Sequence, residues 1–146
     1  MIRLEGPEAT EAFGHRLAAA LAPGDVVALY GDLGAGKTTL ARGILAGLGH
    51  PGEVASPTFP IVLPYEATRV PVWHVDLYRI EGPDELGELG LDQALEDGAL
   101  IVEWPERLGG SLWPHALRLS LARLGEAARA LTAEVPPAWE MRWPPR

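Results

Sequence analysis

Three features of this sequence predict an α/β fold, a P-loop-type sheet with a parallel core, helices on both faces and an antiparallel edge addition. Val26-Val27-Ala28-Leu29-Tyr30 is a short continuous apolar run of the kind that forms a strand buried on both faces. Gly31-Asp32-Leu33-Gly34-Ala35-Gly36-Lys37-Thr38 follows it directly, and Thr38 to Leu48 then carries Leu40, Ile44, Leu45 and Leu48 on one face of a helix. Later, Ala99-Leu100-Ile101-Val102 repeats the buried-strand pattern, while Leu117, Leu119 and Leu121, and then Leu131, Ala133 and Val135, alternate with other residues. Strands interleaved with helices imply a layered α/β sheet. The late alternating pair adds antiparallel strands at one edge.

The remaining elements follow in order. Glu8 to Leu21 reads as an amphipathic helix on Phe13, Leu17, Ala20 and Leu21, ended by Ala22-Pro23-Gly24. The helix after the glycine-rich segment closes at Gly47, Gly49 and Pro51-Gly52, and Ser56-Pro57-Thr58-Phe59-Pro60 is loop-like. Ile61 to Tyr65 and Val70 to Leu77 form a predicted hairpin across Glu66 to Arg69, with Pro64 and Pro71 pointing to an edge. Asp84 to Asp97 is helical but interrupted at Gly87 and Gly90, which predicts two short pieces. The Leu117 and Leu131 runs form a hairpin through Gly125-Glu126, and Pro136 to Arg146 reads as an extended tail. No repeat or second domain is evident, so residues 1–146 are expected to be a single domain.

With 146 residues the chain can bury a real core. It has no cysteine, which removes disulfides and thiolate metal sites. The N-terminal segment lacks the apolar stretch of a signal peptide and no run approaches membrane-spanning length, so a cytoplasmic protein with no membrane partner is expected. A net charge of −8 opposes unaided binding to nucleic acid, because that binding is driven by neutralising phosphates.

Lys37 is the one lysine among twelve Lys and Arg residues. The octapeptide around it fits G-x-x-x-x-G-K-[ST], the phosphate-cradling P-loop, preceded by a strand and followed by a helix as that loop requires. Its glycines let main-chain N–H groups converge on an anion. The Lys37 ammonium suits the β- and γ-phosphates, and the Thr38 hydroxyl suits a Mg²⁺ bridging them. A chain that otherwise uses arginine for positive charge keeps lysine where a compact ammonium is needed.

Such a site requires carboxylates for the metal or for the attacking water. Asp76 and Glu103 stand at the carboxyl ends of two predicted strands, where ligands bind in open α/β sheets. Asp32, inside the loop, suits a conformational role. Glu81, Asp84, Glu85 and Glu88 read as a solvated helix face. His74, two residues before Asp76, shares its strand face and reads as a packed or hydrogen-bonded histidine; His15, His50 and His115 have no evident ligand partners.

Four motifs together resemble the TsaE (YjeE) family. They are Gly31 to Thr39, Ser56-Pro57-Thr58-Phe59, His74-Val75-Asp76-Leu77-Tyr78-Arg79 and Val102-Glu103-Trp104-Pro105-Glu106, and the resemblance covers roughly Thr10 to Arg129. Val75 replaces a usual phenylalanine, and Pro60 stands where threonine often follows, removing one backbone donor. That family is the ATPase component of the bacterial machinery that makes threonylcarbamoyladenosine in tRNA.

The resemblance implies ATP and Mg²⁺ as cofactors, with Asp32, Leu33, Gly34, Ala35, Gly36, Lys37, Thr38 and Thr39 around the phosphates. It implies Thr38 and Glu103 as the Mg²⁺ pair, Asp76 as the catalytic acidic residue beside Lys37, and Thr58 in a switch-like loop. Trp104 would lie near the nucleotide or pack beneath the strand end, and Thr10 and Arg129 would approach the adenine or ribose. The expected partners are a TsaD–TsaB pair, with tRNA engaged only indirectly, as the negative charge suggests. Two other readings stay open: a nucleotide-binding module without turnover, and a small-molecule P-loop kinase. A GTPase is disfavoured, since guanine-reading N-K-x-D loops need asparagine, which this chain lacks.

Overall fold

The computed structural model describes residues 1–52, 54, 62–80 and 83–145. Its centre is a seven-stranded sheet in the order β1-β7-β6-β2-β5-β4-β3. The strands are β1 (Ile2–Glu5), β2 (Val26–Tyr30), β3 (Val62–Tyr65), β4 (Val72–Asp76), β5 (Ala99–Glu103), β6 (Leu117–Arg123) and β7 (Ala128–Glu134). Helices α1 (Pro7–Ala18), α2 (Lys37–Gly47), α3 (Pro83–Glu88) and α4 (Leu91–Asp97) connect them. Ser56 to Pro60, Thr58 among them, together with Ile61 and Glu81, lie outside the described residues.

Strands β6, β2, β5 and β4 run parallel. Antiparallel strands flank both sides of this core, β3 against β4 and β7 then β1 beyond β6. The expected antiparallel addition is therefore β7, while β6 belongs to the parallel core. The last hairpin is antiparallel whichever way its first strand enters the sheet, so its periodicity is silent on that pairing. Strand β1, four residues long at the margin of the sheet, leaves almost no periodic signal. Pro64 sits on the outer strand β3, where a missing N–H costs no ladder bond.

Alternation along the strands divides the core in two. On one face Val27, Leu29, Ile101, Leu117 and Leu119 pack beneath α1 and α2, against Phe13, Leu17, Leu40, Ile44 and Leu45. On the other, Val26, Ala28, Val75, Leu100 and Val102 pack with Leu77, Ile80, Leu91, Leu108 and Leu112. Helices α1 and α2 cross closely, and a Cβ on Gly43 would run into the main chain at Glu11.

Gly90, at φ 67°, separates α3 from α4 as expected, whereas Gly87 lies within α3. Helix α1 stops at Ala18 and a turn carries the chain through Ala19 and Leu21, earlier than its apolar spacing suggests.

The expectation of an extended C-terminal tail is corrected. Pro137–Trp139 forms a 3-10 turn, Trp139 is fully buried, and Trp143 meets Phe13 edge-on with ring centroids 5.8 Å apart. The guanidinium of Arg142 lies over the Trp139 ring and donates to both Asp25 carboxylate oxygens, at 2.7 and 3.1 Å. The prolines prevent regular structure, but the two indoles carry enough apolar surface to fold the segment back.

Candidate functional site

The putting-together of the site follows from strand parity. In the register of β4 on β5, Asp76 lies opposite Glu103 and His74 opposite Ile101. His74, Asp76 and Glu103 therefore share the face that α2 covers, and α2 begins at Lys37-Thr38. Loop, helix start and two strand-end carboxylates enclose one cleft of about 440 Å³. Its walls include Gly36, Lys37, Thr38, Asp76, Glu103 and Trp104.

The loop has the backbone that its glycines allow. Gly34 and Gly36 have φ of 79° and 108°, values that side chains resist. Gly36 caps α2, so main-chain N–H groups at the start of an eleven-residue helix point into the cleft with the positive end of its dipole. Asp32 contributes its carbonyl, which accepts from the Ala35 N–H at 3.0 Å. Ala35 is buried beneath the loop, and Leu33 stands exposed at its tip.

Lys37 Nζ donates to the Gly31 carbonyl at 2.6 Å and lies 3.7 Å from the centroid of the Trp104 ring. Burial pushes the Lys37 pKa down, with Glu103, Glu106, Asp76 and Asp32 opposing that shift. Trp104 adopts a left-handed backbone, φ 58° and ψ 48°, and its ring also meets Tyr78 at 4.8 Å. Such a conformation is costly for a bulky residue and points to a constrained position.

The carboxylates are differently placed. The Thr38 hydroxyl donates to Glu103 Oε2 at 3.4 Å, and the same oxygen meets His74 Nε2 at 2.6 Å. Asp76 Oδ1 accepts from the Tyr78 N–H at 2.9 Å. Burial pushes the Asp76 carboxyl up, and the negative Glu103 adds to this; the Tyr78 N–H, Lys37 and His74 pull it back.

Arg129 reaches the loop from β7, its Nε donating to the Ala35 carbonyl at 2.9 Å. Arg129, Thr10, Gly36 and Thr39 line a smaller cavity of about 130 Å³ beside the main cleft. All the expected site residues except Thr58, which lies outside the described residues, thus gather in or beside one region. Three further residues join them that the sequence reading had not singled out. Tyr78 and Arg79 line the cleft, and Arg123 donates to the Gly34 carbonyl at 3.2 Å. Tyr78 and Arg79 were visible as the end of the motif that contains Asp76, whereas Arg123 ends a strand with nothing in the local sequence to mark it.

A family model described as threonylcarbamoyl adenosine biosynthesis protein TsaE matches residues 4–131. The chain belongs to the TsaE family. A TsaE protein of Bacillus subtilis strain 168 is 41% identical over 131 residues, covering 89% of this chain and 82% of that one. A TsaE protein of Streptomyces coelicolor is 48% identical over 119 residues, covering 79% and 80% respectively. Both are named tRNA threonylcarbamoyladenosine biosynthesis proteins. The crystal structure of Bacillus subtilis YdiB has the same fold, with a TM-score of 0.81 and 35% identity over 96% of this chain and 88% of that one. The matched TsaE region contains the whole cleft and stops short of the folded C-terminal strap.

The TsaE cleft suits a nucleoside triphosphate with a hard divalent cation. Thr38 and Glu103 offer only oxygen donors, the set that Mg²⁺ selects, and Mg²⁺ commonly takes few protein ligands beside phosphate and water. Main-chain N–H groups and Lys37 supply the positive charge that phosphates need. Among the described residues, no helix is long and apolar enough to cross a membrane.

Proposed function

We propose that this chain is a Mg²⁺-dependent ATPase that serves as an accessory subunit in tRNA N6-threonylcarbamoyladenosine synthesis. In this reading it docks on a TsaD–TsaB pair and couples ATP binding and hydrolysis to that pair's cycle without touching tRNA extensively. The observation that carries it is the convergence of Lys37, Thr38, Asp76 and Glu103 on one cleft at the carboxyl ends of parallel strands. Family membership supplies the pathway.

Each side chain has a role that its surroundings support. The loop amides and Lys37 hold the phosphates, and Lys37 exchanges its bond to the Gly31 carbonyl for the β- and γ-oxygens. Thr38 and Glu103 hold the cation, which when bound offsets the negative charge of the phosphates. Asp76, fixed by the Tyr78 N–H, orients a water for attack on the γ-phosphorus and accepts its proton. The new P–O bond forms as the bond to the bridging oxygen breaks, and ADP leaves with that oxygen. Thr10 and Arg129 flank the ribose and adenine end, and Thr58 senses the nucleotide state.

The net charge of −8 supports docking on protein rather than on tRNA. The test is co-purification with a TsaD–TsaB pair in ATP, in ADP and without nucleotide, alongside single-turnover hydrolysis. Association that depends on the nucleotide, with hydrolysis accelerated in the complex, is the expected result. ATP bound but never cleaved in the assembled complex would leave a nucleotide-holding module, and phosphate transfer to a metabolite would make it a kinase.

A further inference from the structure

His74 is completely buried on β4, and Glu103 beside it is 3% exposed. Its Nε2 meets Glu103 Oε2 at 2.6 Å, while its Nδ1 has no hydrogen-bond partner among the described residues. A carboxylate can only accept, so Nε2 carries the hydrogen of this bond. The neighbours on this face, Val72 along the strand and Ile101 across from it, are aliphatic. An aliphatic side chain at position 74 would match them and avoid burying an orphaned nitrogen. The imidazole is therefore costly to the core, and among the described residues its hydrogen bonding there serves a single carboxylate oxygen.

That oxygen is the one the Thr38 hydroxyl reaches at 3.4 Å. We propose that His74 is a positioning residue, which fixes the rotamer of Glu103 so that its carboxylate faces Thr38 as a preformed half of the cation site. This rests on the reading of Thr38 and Glu103 as cation ligands. Without the Nε2–H donor, the Glu103 carboxylate can swing about its side-chain torsions toward Lys37, whose ammonium lies within its electrostatic reach. Partners that orient a ligand in this way commonly govern metal affinity by about 10- to 100-fold.

The test compares His74→Gln, whose amide N–H can replace Nε2–H, with His74→Leu and with His74→Asn, whose amide is too short to reach Glu103. Affinity for a non-hydrolysable ATP analogue is measured by calorimetry in EDTA and across a Mg²⁺ titration, with melting curves reporting the folded state. His74→Leu should need roughly 10- to 100-fold more Mg²⁺ for the same enhancement, with the affinity in EDTA changed by less than about twofold. His74→Gln should recover most of the loss. If the Leu variant does not fold, the Asn and Gln variants give the same contrast.

In the nucleotide-free protein, ¹⁵N NMR should show a hydrogen on His74 Nε2. Wild-type Mg²⁺ dependence in the folded Leu or Asn variants, equal impairment in Gln and Asn, or an Nε2 without hydrogen would each overturn the proposal. Wild-type protein that binds the analogue with no response to Mg²⁺ would instead sink the reading of the cation site, and this inference with it.

Discussion

Asp76 and Glu103 end neighbouring parallel strands in register, and their carboxylates point from the same face of the sheet into one cleft. Two acidic groups held side by side in a partly buried site cannot both ionise cheaply. The strain falls on Asp76, whose carboxyl is pushed up first by burial and then by the charge on Glu103. Glu103, by contrast, is bonded to His74 and Thr38.

Asp76→Asn should therefore separate stability from activity. The native protein holds the Asp76 proton more firmly than the unfolded chain does, so stability is highest below the ordinary carboxylate pKa and falls as pH rises through the raised native value. At neutral pH the neutral amide removes that penalty, and its carbonyl can still accept the Tyr78 N–H. The variant should melt higher than wild type at pH 7, with the gain vanishing at low pH, while ATP binding persists and hydrolysis is lost. In wild type the acid limb of the hydrolysis profile should lie above the usual aspartate pKa of about 3.9. Melting curves from pH 3 to 8 and single-turnover rates check both halves.

Lys37→Ala should act on binding. A charge-assisted hydrogen bond contributes about 1.5–3 kcal/mol, so ATP affinity should fall roughly 10- to 150-fold. Because burial lowers the Lys37 pKa, wild-type affinity should begin to decline on the alkaline side below the range of a free lysine near 10.4. Calorimetry across pH, with the Ala variant lacking that alkaline decline, is the measurement. ATP must also draw the ammonium off the Trp104 ring, so tryptophan emission should change on binding in wild type, and much less in Trp104→Phe.

Trp104 offers a backbone test. With φ at 58°, the position favours glycine over any residue with a Cβ by about 1 kcal/mol. Trp104→Ala and Trp104→Gly both lose the ring contacts to Lys37 and Tyr78, but the Gly variant should be the more stable of the two by that amount in chemical denaturation. Equal stabilities would mean that the strain is released locally when the indole is removed.

The parts of the site that were legible in the sequence are those that chain continuity forces together. Strand, glycine loop and helix start are adjacent in sequence, so Lys37 and Thr38 could be placed at once, and Asp76 and Glu103 stood at the ends of recognisable apolar runs. Their registry could not be read, since it depends on which strands are neighbours, and strand order is set by helix packing far from either residue. For the same reason the alternation in β6 points to the antiparallel edge, although the strand pairs parallel with β2. The His74 bond to Glu103 spans 29 residues and needs that registry, so periodicity could only suggest a packed histidine. The tail reads as extended because its prolines mask two tryptophans whose burial depends on surfaces that α1 and the sheet create.

Gly43 should prove as necessary as the loop glycines, for a different reason. A methyl there collides with the main chain at Glu11, so α2 must move away from α1. Overpacking of this kind costs about 1–3 kcal/mol. Because Lys37 and Thr38 open the same helix, Gly43→Ala should weaken ATP binding as well as stability, although the residue lies outside the cleft. A stability loss with unaltered ATP affinity would show that the helix bends rather than shifts.

The C-terminal strap should do the reverse. Arg142 clamps Asp25, which directly precedes β2, whereas the P-loop directly follows that strand, so the strap and the cleft lie at opposite ends of the sheet. Trp139 fills the core completely, and Trp139→Ala should cost about 3–5 kcal/mol. Arg142→Ala leaves Asp25 with its bond from the Ala22 N–H but without a counter-charge, at a cost of about 1–3 kcal/mol. Asp25→Asn with Arg142→Ala should recover part of that loss, because no unpaired charge then remains. In every variant that stays folded, ATP affinity should be unchanged, since none of the described strap residues lines the cleft. Calorimetry well below each melting temperature decides the point: a fall in affinity that tracks the stability loss would mean that the sheet transmits the damage along β2 to the loop.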